Sequence, residues 1–287
     1  MLNLGRSGRG SRRSAVAGLL RASHPGPTIA VTALTTALAA ASGRDAAGCG
    51  LVAGAALAGQ LSVGWCNDAA DAARDTAVGR TAKPVVAGAV SAAAVRAASI
   101  TALAVCVPLS FASGPMAGVV HLVAVSGAWA YDLGLKSTVV SWLPYVVAFG
   151  ALPAFVALGL PGHPWPAWSI SLAGAALGAG AHLANVLPDI ESDLATGVRG
   201  WPQRIGRARV RALVPVPLLA ATGLLVFGQP GPAGRAGWAG LTAAGVLTAA
   251  GWLLGGRSPR VTFAMAIAVA AVDVALLLER GTGITGT

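Results

Sequence analysis

Apolar residues fill long stretches of this 287-residue chain, and charged residues lie almost entirely between those stretches. A helix needs about 20 apolar residues to cross a bilayer. Single strands cannot satisfy their backbone in lipid, and the alternation of a β-barrel is absent, so the stretches are predicted to be helices. The nine predicted spans are 27–43, 47–67, 86–107, 112–131, 138–160, 167–188, 208–228, 234–254 and 260–279. The pattern therefore predicts an all-α, polytopic membrane protein.

The composition supports this interpretation. Hydrophobic residues make up 55% of the chain, charged residues make up 10%, and the mean hydropathy is +0.70. Soluble domains carry about 25% charged residues, so a soluble fold of this size would lack the charge to keep its surface in water. Disordered and disulfide-scaffold classes are excluded by the same values.

The basic residues predict the orientation in the membrane. The net charge is +10, and we attribute it to loops that face anionic lipid rather than to nucleic-acid binding. With the N-terminus in the cytoplasm, 16 of the 20 Lys and Arg residues lie on the cytoplasmic side, and only Arg44, Arg235 and Arg280 lie opposite. This asymmetry predicts a plasma-membrane protein with a basic cytoplasmic tail over residues 1–20 and one transmembrane domain over residues 21–287.

Six of the ten acidic residues are concentrated in two short segments. We define the first acidic segment as Asn67, Asp71 and Asp75, and the second as Asn185, Asp189 and Asp193. Each set has the spacing i, i+4, i+8, which places its members along one side of an α-helix. Acids beside membrane helices are costly and usually mark function.

The two acidic segments belong to an internal repeat. When Asn67–Gly88 is aligned with Asn185–Gly206, seven of 22 positions are identical, including all three polar pairs. The copies lie four predicted crossings apart, so both are expected at the cytoplasmic face, where they should face each other across one cavity. The sequence thus predicts nine helices in total, arranged as two pseudo-repeated halves around a central cavity.

Carboxylates without neighbouring His or Cys ligands favour a hard cation such as Mg²⁺, which commonly joins carboxylates to substrate phosphates. The same face is rich in basic residues, which suit the phosphate. These are Arg74, Arg80, Lys83, Lys136, Arg199 and Arg204. The pattern indicates a site for a phosphorylated ligand with an apolar tail.

At this point the sequence resembles a known family. The motif N-D-x-x-D-x-x-x-D followed by R-T-x-K-P-x-x-x-G, over Asn67–Gly88, is similar to the first signature of the UbiA-type membrane prenyltransferases. The second copy, over Asn185–Gly206, is similar to the second signature. The resemblance implies transfer of a prenyl group from an isoprenyl diphosphate to a lipophilic, usually aromatic, acceptor, with Mg²⁺ as cofactor.

The resemblance also implies roles for individual residues. Both acidic segments (Asn67, Asp71, Asp75, Asn185, Asp189 and Asp193) would hold the diphosphate through Mg²⁺, with Asp68 in support. Arg80, Lys83 and Lys136 would contact the diphosphate, and Arg21 is a further candidate. Asp71, Asp189 and Lys136 would act in catalysis. Four aromatic residues, Trp65, Tyr131, Trp142 and Tyr145, are candidates for stabilising an allyl cation, with anchoring at the membrane interface as the alternative for each.

Two departures from the family pattern leave the acceptor open. Ala69 and Ala70 stand where aromatic residues are common, and Gly200-Trp201-Pro202 replaces the usual Thr-Leu-Pro. Two other functions stay open: a membrane transporter, and a non-catalytic, lipid-binding relative.

Four further polar residues lie outside the proposed site. His182 and Glu191 are expected to be a structural histidine and a solvated acid. Asp273 is expected to be protonated or to pair with a neighbouring helix, with Arg96 as a possible partner. A functional role for Asp273 or Arg96 stays open.

Overall fold

The computed structural model describes residues 7–254, 259–280 and 283–285, and these residues contain helices and turns but no strand. The helices are α1 (Ser7–Ala22), α2 (Pro25–Ala41), α3 (Ala46–Ala77), α4 (Ala92–Ala112), α5 (Pro115–Leu133), α6 (Leu143–Ala157), α7 (Trp168–Val186), α8 (Ile190–Ala195), α9 (Trp201–Ile205), α10 (Arg207–Leu213), α11 (Pro215–Phe227), α12 (Arg235–Leu254) and α13 (Pro259–Glu279). The all-α class predicted from the sequence is confirmed.

The predicted spans all fall on apolar helices, although their lengths differ. In the described part of the chain, seven helical segments are long and apolar enough to cross a membrane. The first and fifth predicted spans, α2 and α6, are apolar but shorter, with 17 and 15 residues. The protein is thus a multi-pass membrane protein, with two helices below the usual spanning length.

Prolines and a cap residue account for three corrected helix boundaries. α6 begins at Leu143 rather than 138, with Pro144 in its first turn, where the missing N–H costs nothing. The seventh predicted span is broken into α10 and α11. Pro215 has no backbone N–H to continue α10, so it begins α11 instead. α4 begins after Ser91, whose hydroxyl oxygen accepts a hydrogen bond from the Ala94 N–H at 3.1 Å.

The membrane helices form a closed bundle. Neighbours in sequence pack side by side from α2 to α7, α11 packs on α7, and α12 and α13 follow. α13 then contacts α2, which closes the ring. The core that this ring encloses holds large apolar side chains such as Phe155, Ile170 and Leu225.

Small residues let α7 approach α6 closely. A β-carbon at Gly174 would lie 2.6 Å from the Phe149 carbonyl oxygen, and one at Gly178 would lie 2.3 Å from the Tyr145 carbonyl oxygen. Glycines four residues apart therefore allow direct backbone contact between the two helices, the packing expected of this Gly- and Ala-rich stretch.

The repeat is visible in the backbone. Gly79 and Gly197, which follow the two acidic segments, have φ values of 67° and 82°. The next pair, Gly88 and Gly206, have φ values of 70° and 85°. This left-handed conformation strains residues with a side chain, so the glycines shared by the copies mark equivalent turns.

The predicted basic tail is largely helical in the described residues. α1 packs closely against the loop before α4. A β-carbon added at Gly18 would lie only 3.2 Å from atoms of Ala89 and Val90. The Leu19 carbonyl oxygen also accepts a hydrogen bond from Trp65 Nε1 at 2.8 Å. Residues 1–6 of the predicted tail lie outside the described part of the chain, and the proposed domain division stays a prediction.

Candidate active site

The first acidic segment lies on α3, which continues to Ala77, well past the predicted end of this span at residue 67. Alanine is the strongest helix former, and the alanines between the aspartates favour this extension. Asp71 and Asp75 are only 8% and 2% exposed. We refer to the end of the bundle that carries these residues as the polar end.

Two cations neutralise Asp71. Lys136 Nζ donates a hydrogen bond to one carboxylate oxygen at 2.5 Å, and Arg74 Nη2 lies 2.7 Å from the other. Lys136 is placed by a short 3₁₀ turn, Leu135–Ser137, that directly follows α5. Two predicted site residues, far apart in sequence, are therefore in direct contact.

Arg80 connects the first acidic segment to α8, the helix that carries Asp193. Its Nη1 donates to Asp75 Oδ1 at 3.3 Å, while its Nη2 donates to Ser192 Oγ at 3.2 Å in α8. Arg74 and Arg80 both lie within electrostatic range of Asp193. The polar end therefore contains one shared cluster of charges with contributions from both halves of the repeat.

Asp68 anchors the loop that follows α3. Lys83 Nζ donates to Asp68 Oδ1 at 2.6 Å, and His24 Nε2 lies 2.9 Å from the same oxygen. Arg21 Nη2 donates to the Ala82 carbonyl oxygen of this loop at 3.1 Å. In this structure, Lys83 and Arg21 thus hold the loop, and their contact with a diphosphate stays a prediction.

The second acidic segment departs from the predicted helical stripe. α7 ends at Val186, and a 3₁₀ turn over Leu187–Asp189 precedes α8. Pro188 lacks a backbone N–H and crowds the preceding turn. The prediction that this segment follows one continuous α-helix is therefore wrong, whereas it is right for the first segment.

The polar side chains of the second segment differ in their contacts. Asn185 Nδ2 donates to Tyr145 Oη at 3.3 Å, and Gln203 Nε2 donates to Asp193 Oδ2 at 2.9 Å. Asp189 is exposed, and among the described residues its carboxylate has no hydrogen bond or ion pair. Asp189 is therefore open to a ligand.

Two of the four aromatic candidates come together beside the acidic segments. The rings of Tyr131 and Tyr145 meet edge to face, with their centroids 5.3 Å apart. The ring centroid of His182 lies 4.9 Å from that of Tyr145. Tyr131 lies on α5, Tyr145 on α6 and His182 on α7. The aromatic cluster thus joins three helices, and Tyr145 also contacts Asn185 of the second acidic segment.

The two tryptophan candidates are placed differently. Trp65 Nε1 donates to the Leu19 carbonyl oxygen, so its polar atom is used to hold α1. Trp142 is 39% exposed, as suits a residue at a membrane interface.

One acid that the sequence analysis did not single out belongs to this region. Asp132, near the end of α5, is 5% exposed and accepts a hydrogen bond from Asn67 Nδ2 at 2.9 Å. Lys136 and Asp71 lie within electrostatic range. A signal was present in the sequence, because Asp132 precedes Lys136 by one helical turn.

The remaining sequence expectations have mixed outcomes. His182 is buried, with Nε2 3.3 Å from Ser141 Oγ, as expected of a structural histidine. Asp273 is fully buried and accepts a hydrogen bond from Thr222, so it contacts a neighbouring helix but not Arg96. Glu191 is exposed, as expected of a solvated acid, and pairs with Arg207 at the surface.

The oxygen atoms at the polar end suit a hard cation whose coordination is completed by a bound phosphate ligand. No three His, Cys, Asp or Glu side chains of the described residues converge closely enough to hold a metal alone. The available atoms are carboxylate and amide oxygens, and Asp189 is unpaired. Because Mg²⁺ commonly combines one or two carboxylates with substrate phosphates, the residues fit that mode of binding.

A closed bundle of membrane helices, with acidic segments and cations at one end, defines an integral membrane protein with a cluster of charged side chains at that end. The model of the UbiA prenyltransferase family matches residues 28–262. The chain therefore belongs to the UbiA prenyltransferase family. No curated protein matches the sequence.

Solved structures share the fold. A UbiA homologue from Archaeoglobus fulgidus bound to GPP and Mg²⁺ is 16% identical, with a TM-score of 0.69 over 93% of this chain and 100% of that one. An apo UbiA homologue from Aeropyrum pernix K1 is 21% identical, with a TM-score of 0.68 over 88% and 96%. A digeranylgeranylglyceryl phosphate synthase structure is 12% identical, with a TM-score of 0.67 over 94% and 99%.

Proposed function

We propose that this protein transfers a prenyl group from an isoprenyl diphosphate to a lipophilic acceptor, with Mg²⁺ as cofactor. The observation that carries the proposal is the shared charge cluster, in which Arg80 connects Asp75 to α8 and Lys136 binds Asp71. Such a cluster at one end of an apolar bundle suits a ligand with a charged headgroup and a hydrocarbon tail.

The two acidic segments supply the metal site in this proposal. Asp71, Asp75, Asp189 and Asp193, with the amide oxygens of Asn67 and Asn185, would hold Mg²⁺ together with the diphosphate. When bound, the metal neutralises charge that builds up on the departing diphosphate. The structure of the Archaeoglobus fulgidus homologue with GPP and Mg²⁺ supports this combination of ligands.

Lys136 and Arg80 are the proposed diphosphate contacts, because both carry hydrogen-bond donors into the cluster. Breaking the allylic C–O bond leaves the electron pair on the diphosphate, and these cations stabilise that charge. The acceptor then forms a bond to the prenyl carbon and loses a proton to a carboxylate of the site or to the diphosphate. Lys83 and Arg21 would assist by holding the loop that covers this end.

The aromatic cluster suits the cationic stage of the reaction. The faces of aromatic rings attract cations, and Tyr131 and Tyr145 lie beside the acidic segments. We assign the prenyl cation to this neighbourhood and leave the chemical identity of the acceptor to experiment.

We also propose that the polar end faces the cytoplasm and that the protein resides in the plasma membrane. The asymmetric distribution of basic residues supports this orientation. Isoprenyl diphosphates are water-soluble at their headgroup, so a site open to the cytoplasm can receive them directly.

A product assay tests the proposal. Membranes containing the full-length protein are incubated with dimethylallyl, geranyl or farnesyl diphosphate and a lipid extract, and products are identified by mass spectrometry. We expect a prenylated lipophilic product with Mg²⁺ and none with EDTA. Metal-dependent donor binding without any product would instead favour the non-catalytic, lipid-binding alternative.

A further inference from the structure

Asp132 makes one defined contact and leaves one oxygen unused. Its Oδ1 accepts the hydrogen bond from Asn67 Nδ2, while Oδ2 is buried and has no hydrogen-bond partner among the described residues. Buried polar atoms are normally satisfied. Packing between helices does not explain why a carboxylate with an unpaired oxygen is buried at this position.

The contact fixes which way the Asn67 side chain presents its amide. A carboxylate accepts hydrogen bonds, whereas an amide has donors on nitrogen and its acceptor on oxygen. Asp132 must therefore face the nitrogen, and Asn67 Oδ1 points elsewhere. Mg²⁺ binds amides through oxygen, so this orientation is the one that a metal site requires.

The second half of the repeat has an analogous contact. Asn185 Nδ2 donates to the phenolic oxygen of Tyr145 at 3.3 Å. The partners differ in chemistry and come from different helices, α5 and α6. In both halves, however, the amide nitrogen is occupied and the amide oxygen is left for another ligand.

We propose that Asp132 is a positioning residue, which orients Asn67 so that its amide oxygen can bind a divalent cation. The proposal rests on the function proposed above, because it assumes a metal at the acidic segments. Partners that orient metal ligands typically change metal affinity by about 10–100-fold when removed. Asp132 itself need not touch the metal or the substrate.

Metal-dependent retention of diphosphate tests this role without any turnover. Purified full-length protein is dialysed against radiolabelled inorganic diphosphate at increasing Mn²⁺ concentrations, and the half-saturating Mn²⁺ concentration is measured. For Asp132→Leu, which removes the acceptor at similar size, we expect that concentration to rise about 10–100-fold. Asp273→Leu is the matched control, because it alters another buried acid within the bundle and should leave the value unchanged.

A double-mutant cycle separates orientation from simple loss of charge. In Asn67→Asp, either oxygen of the new carboxylate can bind a metal, so no orienting partner is needed. Adding Asp132→Leu to Asn67→Asp should then change the half-saturating Mn²⁺ concentration by less than about threefold, or lower it, because the two carboxylates no longer repel. This pair also provides the test if Asp132→Leu alone fails to fold.

The outcomes are distinguishable. An unchanged Mn²⁺ dependence in Asp132→Leu, or equal losses in both backgrounds, would overturn the positioning role while leaving prenyl transfer by the wild type intact. A wild type that neither retains diphosphate nor forms product would overturn both proposals. A wild type that retains diphosphate with Mn²⁺ but forms no product would overturn only the proposed reaction.

Discussion

Asp189 and Glu191 are two exposed acids, two positions apart, with different surroundings. The Asp189 carboxylate has no hydrogen bond or ion pair among the described residues, whereas the Glu191 carboxylate pairs with Arg207 at the surface. An unpaired carboxylate at the polar end is available for a ligand. The two residues therefore allow a matched test of one proposed metal ligand.

We predict that Asp189→Ala lowers the rate of prenyl transfer by about 10²–10³-fold, the usual loss when one electrostatic contact to the transition state is removed. Glu191→Ala removes a solvated surface ion pair and should keep nearly full activity. Initial rates at saturating donor and Mg²⁺ check both variants. Similar activities in the two would show that Asp189 plays no part in the reaction.

The sequence predicted the acidic segments because acids are rare in so apolar a chain and recur at matched positions. The repeat did not point to Asp132, since at the offset of 118 the counterpart position holds Ala250, and only its spacing from Lys136 gave a signal. The sequence also did not reveal that Lys83 binds Asp68, because a loop residue's partner depends on how the loop folds back over the bundle. Those contacts are set by tertiary structure rather than by spacing.

At the scale of helices, one glycine controls how α2 meets α3. A β-carbon at Gly64 would lie 2.4 Å from the Ser23 carbonyl oxygen. Backbone atoms cannot move aside as a flexible side chain can. The turn that leads into α2, including His24 and its contact with Asp68, therefore depends on this close approach.

We predict that Gly64→Ala destabilises the protein by about 1–3 kcal/mol, as overpacking typically does, and lowers its apparent unfolding temperature in detergent. Gly50→Ala is the control on the same helix, because a β-carbon there meets nothing within 4 Å. Alanine favours helix over glycine, so Gly50→Ala should be neutral or slightly stabilising. A Gly64→Ala protein as stable as the wild type would show that α2 and α3 can separate without cost.

Helix boundaries were less predictable than helix existence. Hydropathy placed all the apolar helices, but α3 continued past its apolar stretch because Ala-rich sequence remains helical when acids are interspersed. Pro188 carried a local signal for the break after α7, which the i, i+4, i+8 spacing of the second acidic segment obscured. Spacing alone does not reveal whether a helix is continuous.

At the scale of the whole molecule, the closed ring places the polar residues of both halves at one end. Arg209 lies on α10 and Pro232 lies in the loop between α11 and α12, so the two positions flank one membrane crossing. Both are exposed. They therefore report on opposite sides of the membrane.

We predict that a cysteine at position 209 is cytoplasmic and one at position 232 is external. In a variant whose three native cysteines are replaced, a membrane-impermeant maleimide should label Pro232→Cys in intact cells. Arg209→Cys should be labelled only after permeabilisation. The reverse pattern would invert the proposed topology and place the acidic segments outside the cell.

The length of α3 has a consequence for where products go. Its 32 residues correspond to about 48 Å of helix, against about 30 Å of hydrocarbon, so the end that carries Asp71 and Asp75 projects towards water. In the proposed reaction, the released diphosphate can therefore dissolve in the aqueous phase, while the prenylated product stays among the lipids. Because the two products separate into different phases, they rarely meet again at the site, and the reverse reaction is suppressed.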